Sequence, residues 1–299
     1  MSQITVLLIT YNGERYFEKQ LKSICDQPEF SRLIIQDDHS KESFLQFITA
    51  QTSNYDKEIK VVRNEENLGI IRNIKKIISQ NKDSEWLALS DQDDIWESDK
   101  LEKIKAFINQ LKIVSDLPQL IYHDAIVINS DDRPIYPSFW EVLGQHTYQH
   151  RFETFLYGNF ITGGTAVFNQ ALAVFAKDIP EDLRTLHDAW LGLCAFVFGN
   201  VHRLDEKLNR YRHHENNVAF NDVPDLKNKS FGQKLKKWAF EKDFLKDEFK
   251  MIERFLDVYD KRIPKDKKII LQAFLKLNGQ PTWYKKLNKH LTLRKFRKA

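Results

Sequence analysis

Short apolar runs alternate with amphipathic segments of helical period through the first half of the chain. The run ITVLLIT, Ile4 to Thr10, is typical of a buried strand, and Phe17, Leu21, Ile24 and Cys25 then recur on one helical face. The alternation continues through RLIIQDD, a helical SFLQFITA, IKVVRN, a helical GIIRNIKKIISQ, EWLALSD, a helical DKLEKIKAFINQL and QLIYHDAIVIN. This order predicts right-handed βαβ units on a parallel sheet that is covered on both faces.

The second half of the chain is less regular. We expect a loop-rich segment from Asp131 to Tyr157, an apolar stretch with paired glycines in FITGGTAVFN, a helical TLHDAWLGLCAFVFG and a strand-like VHRLDEKLNRYRHHENN. From about Lys227 onward, long basic amphipathic helices take over. The pattern therefore predicts two regions, residues 1–226 and residues 227–299.

Composition favours a globular fold without disulfides. The 299 residues are 42% hydrophobic, which is enough to bury a sizeable core. The two cysteines, Cys25 and Cys194, are far apart in apolar surroundings, which predicts small buried side chains in a reducing compartment. The N-terminus lacks the basic region of a signal peptide. The longest other apolar stretch, Leu191 to Gly199, falls short of the roughly 20 residues of a membrane span. We therefore expect no membrane crossing and a cytoplasmic location.

Charge divides the chain into an acidic body and a basic tail. From Asn228 to Ala299 there are 21 Lys and Arg against 8 Asp and Glu, whereas the preceding residues carry 25 against 34. The last stretch, Thr282 to Ala299, has seven Lys or Arg and no acid, with Trp283 and leucines interleaved. This pattern favours peripheral contact with an anionic membrane surface, and a solvated helix packed on the rest of the chain is the alternative. No nucleic-acid recognition fold accompanies the charge, so we expect no nucleic-acid partner.

Acidic residues follow the predicted strands at one edge of the sheet. Thr10 and Tyr11 follow the first strand, Asp37 and Asp38 end the second, and the sequence DQDD, residues 91–94, follows the fourth. Ligands of such sheets bind beyond the carboxyl ends of strands, although a lone aspartate also caps helices and fills turns. Crowded carboxylates without nearby cysteine suit Mg²⁺ or Mn²⁺ bridging a phosphorylated ligand. The motifs GxxxxGK[ST] and GxGxxG are absent, so neither a P-loop nor a dinucleotide site is supported.

Seven ordered motifs together carry a family resemblance. They are VLLITYNGERYFEKQLKSI, IIQDDHS, NLGIIRN, LALSDQDDIWESDKL, NFITGGTAVFN, LHDAWL and YRHHENNV. In this order they resemble the family-two glycosyltransferases of GT-A fold, closest to the bacterial rhamnosyltransferase-like branch, over roughly residues 3–220. The resemblance implies an α/β fold with a Rossmann-like, mostly parallel sheet flanked by helices. Residues 1–226 would form the catalytic domain and residues 227–299 a helical basic region for membrane-surface or oligomer contact.

The resemblance also implies roles for individual residues, each carried over by motif position. The nucleotide pocket would include Thr10, Tyr11, Asp37, Asp38 and Asp91. Asp93 would be the direct metal ligand, Asp91 would lie nearer the ribose and the metal-bound waters, and His214 would touch the diphosphate or the metal. Asp94 fits a helix cap as well as a ligand, and Arg212 fits either a phosphate or an acidic partner.

Catalysis and acceptor binding fall on later motifs. Asp188 in LHDAWL stands where the family places its catalytic base, and a helix cap is the alternative. Gly163 and Gly164 would let the backbone approach the acceptor or the donor sugar, with Trp190 also in the acceptor or sugar site. His213 departs from the glutamine expected beside His214. An isolated histidine such as His123 or His187 is more often a packed residue.

The activity implied is inverting, metal-dependent glycosyl transfer from a nucleotide sugar. The resemblance implies dTDP-rhamnose as the first donor to test, with a UDP-hexose such as UDP-galactose or UDP-glucose as the alternative. The acceptor would be a growing cell-surface polysaccharide or a lipid-linked glycan, at the inner face of the cell membrane. Two other classes stay open from the residues alone: a nucleotidyltransferase, which normally carries a glycine-rich basic loop, and a non-catalytic carbohydrate- or calcium-binding module.

Overall fold

One mixed sheet organises the larger part of the chain. The computed structural model describes residues 3–28, 31–111, 116–182, 187–214 and 244–298. The strands are β1 (Ile4–Thr10), β2 (Arg32–Asp37), β3 (Ile59–Arg63), β4 (Trp86–Ser90), β5 (Ile95–Trp96), β6 (Gln119–Ile128), β7 (Pro134–Tyr136), β8 (Ala166–Asn169) and β9 (Asn200–Arg212). The helices are α1 (Phe17–Cys25), α2 (Glu42–Thr52), α3 (Gly69–Ser79), α4 (Lys100–Leu111), α5 (Phe139–Val142), α6 (Phe152–Phe155), α7 (Gln170–Ala173), α8 (His187–Phe198), α9 (Lys246–Tyr259), α10 (Lys265–Leu275) and α11 (Thr282–Lys295).

The N-terminal half of the sheet is parallel, as the alternation of strands and helices predicts. Its strands lie in the order β3-β2-β1-β4, and β1 pairs in parallel with both β2 and β4. The rest of the sheet departs from the prediction. β8 lies antiparallel between β4 and β6, and β5 and β7 also pair antiparallel to their neighbours. Of the nine described strands, six run in one direction, so the α/β class with a mostly parallel sheet is confirmed.

The core lies between the sheet and the helices that pack on it. The predicted face of α1 is buried, since Phe17, Leu21, Ile24 and Cys25 are each at most 2% exposed. The Phe17 ring meets the Phe44 ring of α2 edge to face, with centroids 5.5 Å apart. Each large apolar side chain buried in this way contributes about 2 kcal/mol. Cys25 and Cys194 are buried and are not joined in a disulfide, as expected.

Two compact units share the chain. One comprises residues 1–139, 161–181 and 186–213 and contains the sheet; the other comprises residues 140–160, 182–185 and 214–299. The predicted boundary at residue 226 falls among residues that the structure does not describe, and it stays a prediction. The expected loop-rich segment, residues 131–157, instead contains β7, α5 and α6.

The C-terminal unit is helical and has an aromatic centre. Phe274 of α10 lies 5.0 Å from the ring centroids of both Phe249 in α9 and Tyr157. The Tyr157 hydroxyl donates to Asn288 of α11 at 2.8 Å, and Lys289 donates to the Tyr157 carbonyl at the same distance. Among the residues with described structure, no helix has the length and apolar character that a membrane crossing requires.

Candidate active site

The carboxyl ends of β1, β2 and β4 meet at one edge of the sheet. The register aligns Thr10 with Asp37 and Leu8 with Ser90, so the residues that follow these strands lie side by side. From β1 the strand order continues to β2 and β3 on one side and to β4 on the other. This edge is therefore the topological switch point at which open α/β sheets bind ligands. The sequence predicts a ligand site at the carboxyl ends of these strands, and the structure brings the polar residues together at that edge.

Asp37 is directed into the protein. Its carboxylate is fully buried and accepts from the Thr10 hydroxyl at 3.2 Å, from the Ser40 amide at 3.0 Å and from the Ser40 hydroxyl. These bonds fix the turn after β2. Contact of Thr10 or Asp37 with a nucleotide stays a prediction, and the position of Asp37 gives it a supporting role in the turn.

Asp38 braces the loop before α3. Its Oδ1 accepts from the Asn64 side chain at 2.7 Å and from the Leu68 amide at 2.8 Å, and its Oδ2 accepts from the Gly69 amide at 2.8 Å. Gly69 has φ of +74°, a value that glycine adopts without strain. A carboxylate oxygen accepts up to two hydrogen bonds, so Oδ2 has capacity for a ligand N–H.

Tyr11 and Gln92 join the ends of β1 and β4. The Tyr11 amide donates to the Gln92 side-chain oxygen at 2.8 Å, and the Gln92 amide group donates back to the Tyr11 carbonyl at 3.1 Å. A Cβ at Gly13 would come within 2.2 Å of the same Gln92 oxygen, so a side chain there would displace the Gln92 amide from this position. The Tyr11 side chain is 48% exposed. Its ring is thus exposed, and its contact with a nucleotide stays a prediction.

The acidic loop, residues 91–94, concentrates negative charge. Burial, together with the charges of Asp93 and Asp188 and against the opposing charge of Lys100, raises the pKa of Asp91 to about 7. Asp94 is buried, and burial raises its pKa well above the ordinary value. The mutual effect on the pKa of Asp91 shows that the predicted base and the predicted metal ligands lie within electrostatic reach of one another.

Asp94 contacts β9 and does not cap a helix. Its Oδ1 accepts from the Arg212 amide at 3.1 Å, and its Oδ2 accepts from the Asn209 side chain at 3.3 Å. Arg212 is also buried, and its guanidinium donates to the Asp93 carbonyl at 2.7 Å and pairs with Asp132. Of the two partners considered for Arg212, the acidic one is therefore observed. The helix-cap interpretation of Asp94 is wrong.

Asp188 lies in the first turn of α8 against the paired glycines. Its Oδ2 accepts from the Gly163 amide at 3.2 Å, and its Oδ1 accepts from the Ala189 amide at 2.6 Å. The side chain is 8% exposed. A carboxylate held by backbone N–H groups has a fixed direction, which a base needs in order to take a proton from a bound hydroxyl.

The paired glycines are packed closely against side chains of the site. A Cβ at Gly163 would lie 2.5 Å from the His187 Nε2 atom, and one at Gly164 would lie 3.1 Å from carboxylate oxygens of both Asp91 and Asp94. His187 is buried, and burial lowers its pKa to about 4. The glycines thus allow the backbone to approach the acidic loop, whereas their predicted contact with a sugar stays a prediction.

Two further predicted site residues have less direct support. Trp190 is 1% exposed within α8, so its ring is packed in the interior and acceptor contact stays a prediction. His214 follows His213, whose amide donates to the Ile128 carbonyl at 2.8 Å. His214 is the last described residue before residue 244. Its role as a metal ligand also stays a prediction.

Three residues of the site were not predicted from the sequence. They are Gln92, which joins β1 to the acidic loop, and the buried pair Lys100 and Asn209 behind that loop. Lys100 reads as an ordinary first-turn residue of an amphipathic helix, and Asn209 lies in a strand rich in charged residues. Burial at 0% exposure is a tertiary property, and no local pattern signals it.

The donor set fits a divalent ion that is shared with a ligand. Across the described ranges, no group of three or more His, Cys, Asp and Glu side chains is arranged to hold a metal by itself. Mg²⁺ is nonetheless bound in many proteins by one or two carboxylates together with substrate phosphates. The raised pKa of Asp91, with Asp93 and Asp188 near it, shows the excess of negative charge that a cation would neutralise. Asp91 and Asp93 therefore suit such an ion, with phosphates completing its coordination.

Comparison with known proteins agrees with this arrangement. The chain is 28% identical over 246 residues to the dTDP-rhamnosyl transferase RfbG of Shigella flexneri, a match that covers 77% of this chain and 80% of that protein. Among solved structures, S. aureus TarS residues 1–349 in complex with UDP-GlcNAc superposes with a TM-score of 0.58 at 17% identity, covering 98% of this chain and 90% of that one.

A second structural neighbour is similar over the same range. The mannosyltransferase PcManGT from Pyrobaculum calidifontis, in complex with GDP-Man and Mn²⁺, superposes with a TM-score of 0.59 at 16% identity and covers 98% of this chain and 74% of that one. These likenesses confirm the GT-A fold. The family model described as "Glycosyl transferase family 2" matches residues 5–183, which is more than half of the chain. The chain belongs to glycosyl transferase family 2.

Proposed function

We propose that this glycosyltransferase moves L-rhamnose from dTDP-rhamnose to a hydroxyl of a growing cell-surface polysaccharide or lipid-linked glycan, with inversion at the anomeric carbon. Its class as a nucleotide-sugar transferase follows from the family. The choice of donor is supported by the similarity to a dTDP-rhamnosyl transferase. A UDP-hexose is the alternative donor that the same experiment tests. Family membership leaves the nucleotidyltransferase and the binding module without support.

One observation carries the mechanism: the Asp188 carboxylate is fixed by the Gly163 amide within electrostatic reach of the acidic loop. We assign Asp188 as the base that takes the proton of the acceptor hydroxyl as its oxygen bonds to the anomeric carbon. The bond from that carbon to the diphosphate oxygen breaks in the same displacement, and the nucleoside diphosphate leaves with the electron pair. A single displacement of this kind inverts the configuration.

The remaining residues bind and orient the donor. Tyr11 offers an exposed ring for stacking on the nucleobase of the donor, and Asp38 offers its Oδ2 atom as an acceptor for a nucleobase N–H. Asp91 and Asp93 would hold Mn²⁺ or Mg²⁺, which when bound stabilises the charge that grows on the leaving diphosphate. His214 is the proposed further contact for the diphosphate or the metal.

The first experiment measures released nucleoside diphosphate from a panel of nucleotide sugars with Mn²⁺ or Mg²⁺. The wild type is compared with Asp188→Asn and Asp93→Asn, and Asp131→Asn, in the turn after β6, is the control. We expect release from one donor, dependent on metal and reduced by a factor of about 10² to 10⁴ in Asp188→Asn. Full activity in Asp188→Asn would show that Asp188 is not the catalytic base. Release of nucleoside diphosphate only from a UDP-hexose would show that the donor is that UDP-hexose and not dTDP-rhamnose.

We also propose that α11 rests on the inner face of the cell membrane, close to a lipid-linked acceptor. Trp283, Leu287 and Leu291 recur at spacings of four and are 53%, 42% and 52% exposed, so they form one outward face. Arg294 and Lys295 extend the helix with positive charge, and no Asp or Glu occurs from residue 267 onward. Exposed aromatic and apolar groups with lysine and arginine around them suit an anionic lipid surface.

Vesicle sedimentation tests the membrane contact. We expect the wild type to bind vesicles that contain about a third phosphatidylglycerol, because each basic residue near such a surface contributes about 1 kcal/mol. The combined Trp283→Ser, Leu287→Ser and Leu291→Ser variant should lose this binding. Val258→Ser, which changes an exposed apolar residue of α9, should keep it. Equal binding by the wild type and the triple variant would contradict the proposal.

A further inference from the structure

A lysine without solvent contact lies directly behind the acidic loop. Lys100, the first residue of α4, is 0% exposed, although lysine is almost never fully buried unless its amine is paired. Its Nζ donates to the Gly164 carbonyl at 3.0 Å and to the Asn209 Oδ1 at 2.7 Å, and it lies 3.8 Å above the Trp96 ring centroid. Burial lowers the pKa of this amine well below its ordinary value. No step of the proposed mechanism uses it.

The orientation of Asn209 follows from this lysine. The protonated amine of Lys100 has no acceptor, so the Asn209 oxygen faces Lys100 and its NH₂ group faces the other way. That group donates to the Gly164 carbonyl at 2.9 Å and to the Asp94 Oδ2 at 3.3 Å. The lysine amine keeps at least two N–H bonds in either protonation state, so both of its acceptors are satisfied whatever its charge.

Gly164 completes the connection to the acidic loop. The position of its absent Cβ is 3.1 Å from Asp91 Oδ2 and 3.1 Å from Asp94 Oδ2. The Gly164 backbone therefore lies beside both carboxylates, and a shift toward them would leave them less room. Lys100 thus acts on the loop by two routes, one through the Gly164 carbonyl and the other through the Asn209 amide to Asp94.

We propose that Lys100 is a positioning residue that holds the acidic loop, residues 91–94, in its ligand-binding shape before metal or nucleotide arrives. Preorganisation of this kind reduces the cost of ordering the loop when the ligand binds. The inference rests on the proposed function in that the loop is taken as the metal and nucleotide site. It predicts a change in the metal-free protein, so it can be tested separately.

Amide hydrogen exchange of the metal-free protein is the direct test. In Lys100→Met, which keeps a side chain of similar length without donors, we expect a peptide spanning residues 88–97 to exchange at least tenfold faster. Peptides from β1 and β2 should exchange as in the wild type, because loss of a merely structural contact would accelerate exchange across the whole unit. Lys103→Met is the matched control, since Lys103 lies one turn later in α4 and pairs at the surface with Asp99 and Glu206.

Calorimetric titration supplies a second measurement. The Mn²⁺ concentration that half-saturates nucleotide binding should rise at least tenfold in Lys100→Met and stay unchanged in Lys103→Met. Asn209→Ala keeps the lysine and removes the amide, and it should show both the faster amide exchange of residues 88–97 and the higher half-saturating Mn²⁺ concentration. It replaces Lys100→Met if Lys100→Met does not fold. Wild-type exchange and wild-type Mn²⁺ dependence in Asn209→Ala would overturn the proposal. Absence of transfer by the wild type would overturn only the proposed function.

Discussion

Asp91 should make the metal-free protein less stable as the pH rises from about 4 to 7. Burial, with the charges of Asp93 and Asp188, raises its pKa to about 7, whereas an aspartate in an unfolded chain ionises near 3.9. Between these values the folded chain keeps a proton that the unfolded chain has released. The contribution of Asp91 to the free energy of unfolding is therefore highest below pH 4, falls as the pH rises through this window and levels off above pH 7.

The magnitude follows from the separation of the two pKa values. At about 1.4 kcal/mol per pH unit over about three units, the full linkage is about 4 kcal/mol. Solvent reaches the partly exposed carboxylate, and we discount the figure to about 2 kcal/mol for screening. At about 2.1 cal/mol/K of unfolding entropy per residue, that corresponds to a change of about 3 °C in the melting temperature of a chain of 299 residues.

Thermal unfolding followed by circular dichroism from pH 5 to pH 8 measures this effect. Asp91→Asn cannot ionise, so its melting temperature should fall less than that of the wild type over this range, by most of the amount given. Glu66→Gln, an exposed carboxylate in the loop before α3, should behave as the wild type. An identical fall for Asp91→Asn and the wild type would refute the reasoning.

Four further outcomes follow from the geometry. Gly163→Ala, whose new methyl would lie 2.5 Å from His187, should destabilise the fold by about 1–3 kcal/mol in urea unfolding, and an unchanged midpoint would show that His187 moves freely. Asp38→Ala leaves three donors without their acceptor and should cost at least about 3 kcal/mol in the same assay. Tyr11→Ala should weaken nucleotide binding in calorimetry by about 1–3 kcal/mol through lost stacking, whereas Tyr11→Phe should not. Cys25, whose pKa burial raises to about 12, should not react with a thiol reagent until the protein unfolds, and labelling at the native rate of an exposed thiol would contradict its burial.

The sequence could predict whatever depends on local period. The face of α1 that carries Phe17 and Leu21 follows from spacing alone, and the parallel arrangement of β1 and β2 follows from the alternation of strands and helices. The placement of Asp91 beside the end of β1 then follows from the rule that parallel strands present their carboxyl ends together, whereas Asp188, in the first turn of α8, is placed at the site by the family resemblance alone. Helical spacing and strand order therefore account for this part of the fold and of the site.

The remainder depends on pairing between distant segments. β8 is a four-residue strand whose apolar run fits a buried helix or a loop equally well, and only its partners β4 and β6 define it. Asp37 and Asp38 are neighbours in sequence, yet one is enclosed in a turn and the other braces α3, because β2 ends between them. Lys100 is buried because Gly164 and Asn209, 64 and 109 residues away, supply its acceptors.

The position of β8 has a consequence for synthesis of the chain on the ribosome. Strands β1 to β4 come from residues 4–90 and can pair as soon as they emerge, but β8 ends only at residue 169. Until then β4, whose five residues WLALS are all buried in the native sheet, is an uncovered apolar edge. An unpaired strand edge can form hydrogen bonds with a strand of another chain. Incompletely synthesised chains expose such edges and are therefore prone to aggregate. Addition of β8 therefore does more than extend the sheet, since it ends the interval during which the growing polypeptide is prone to aggregate.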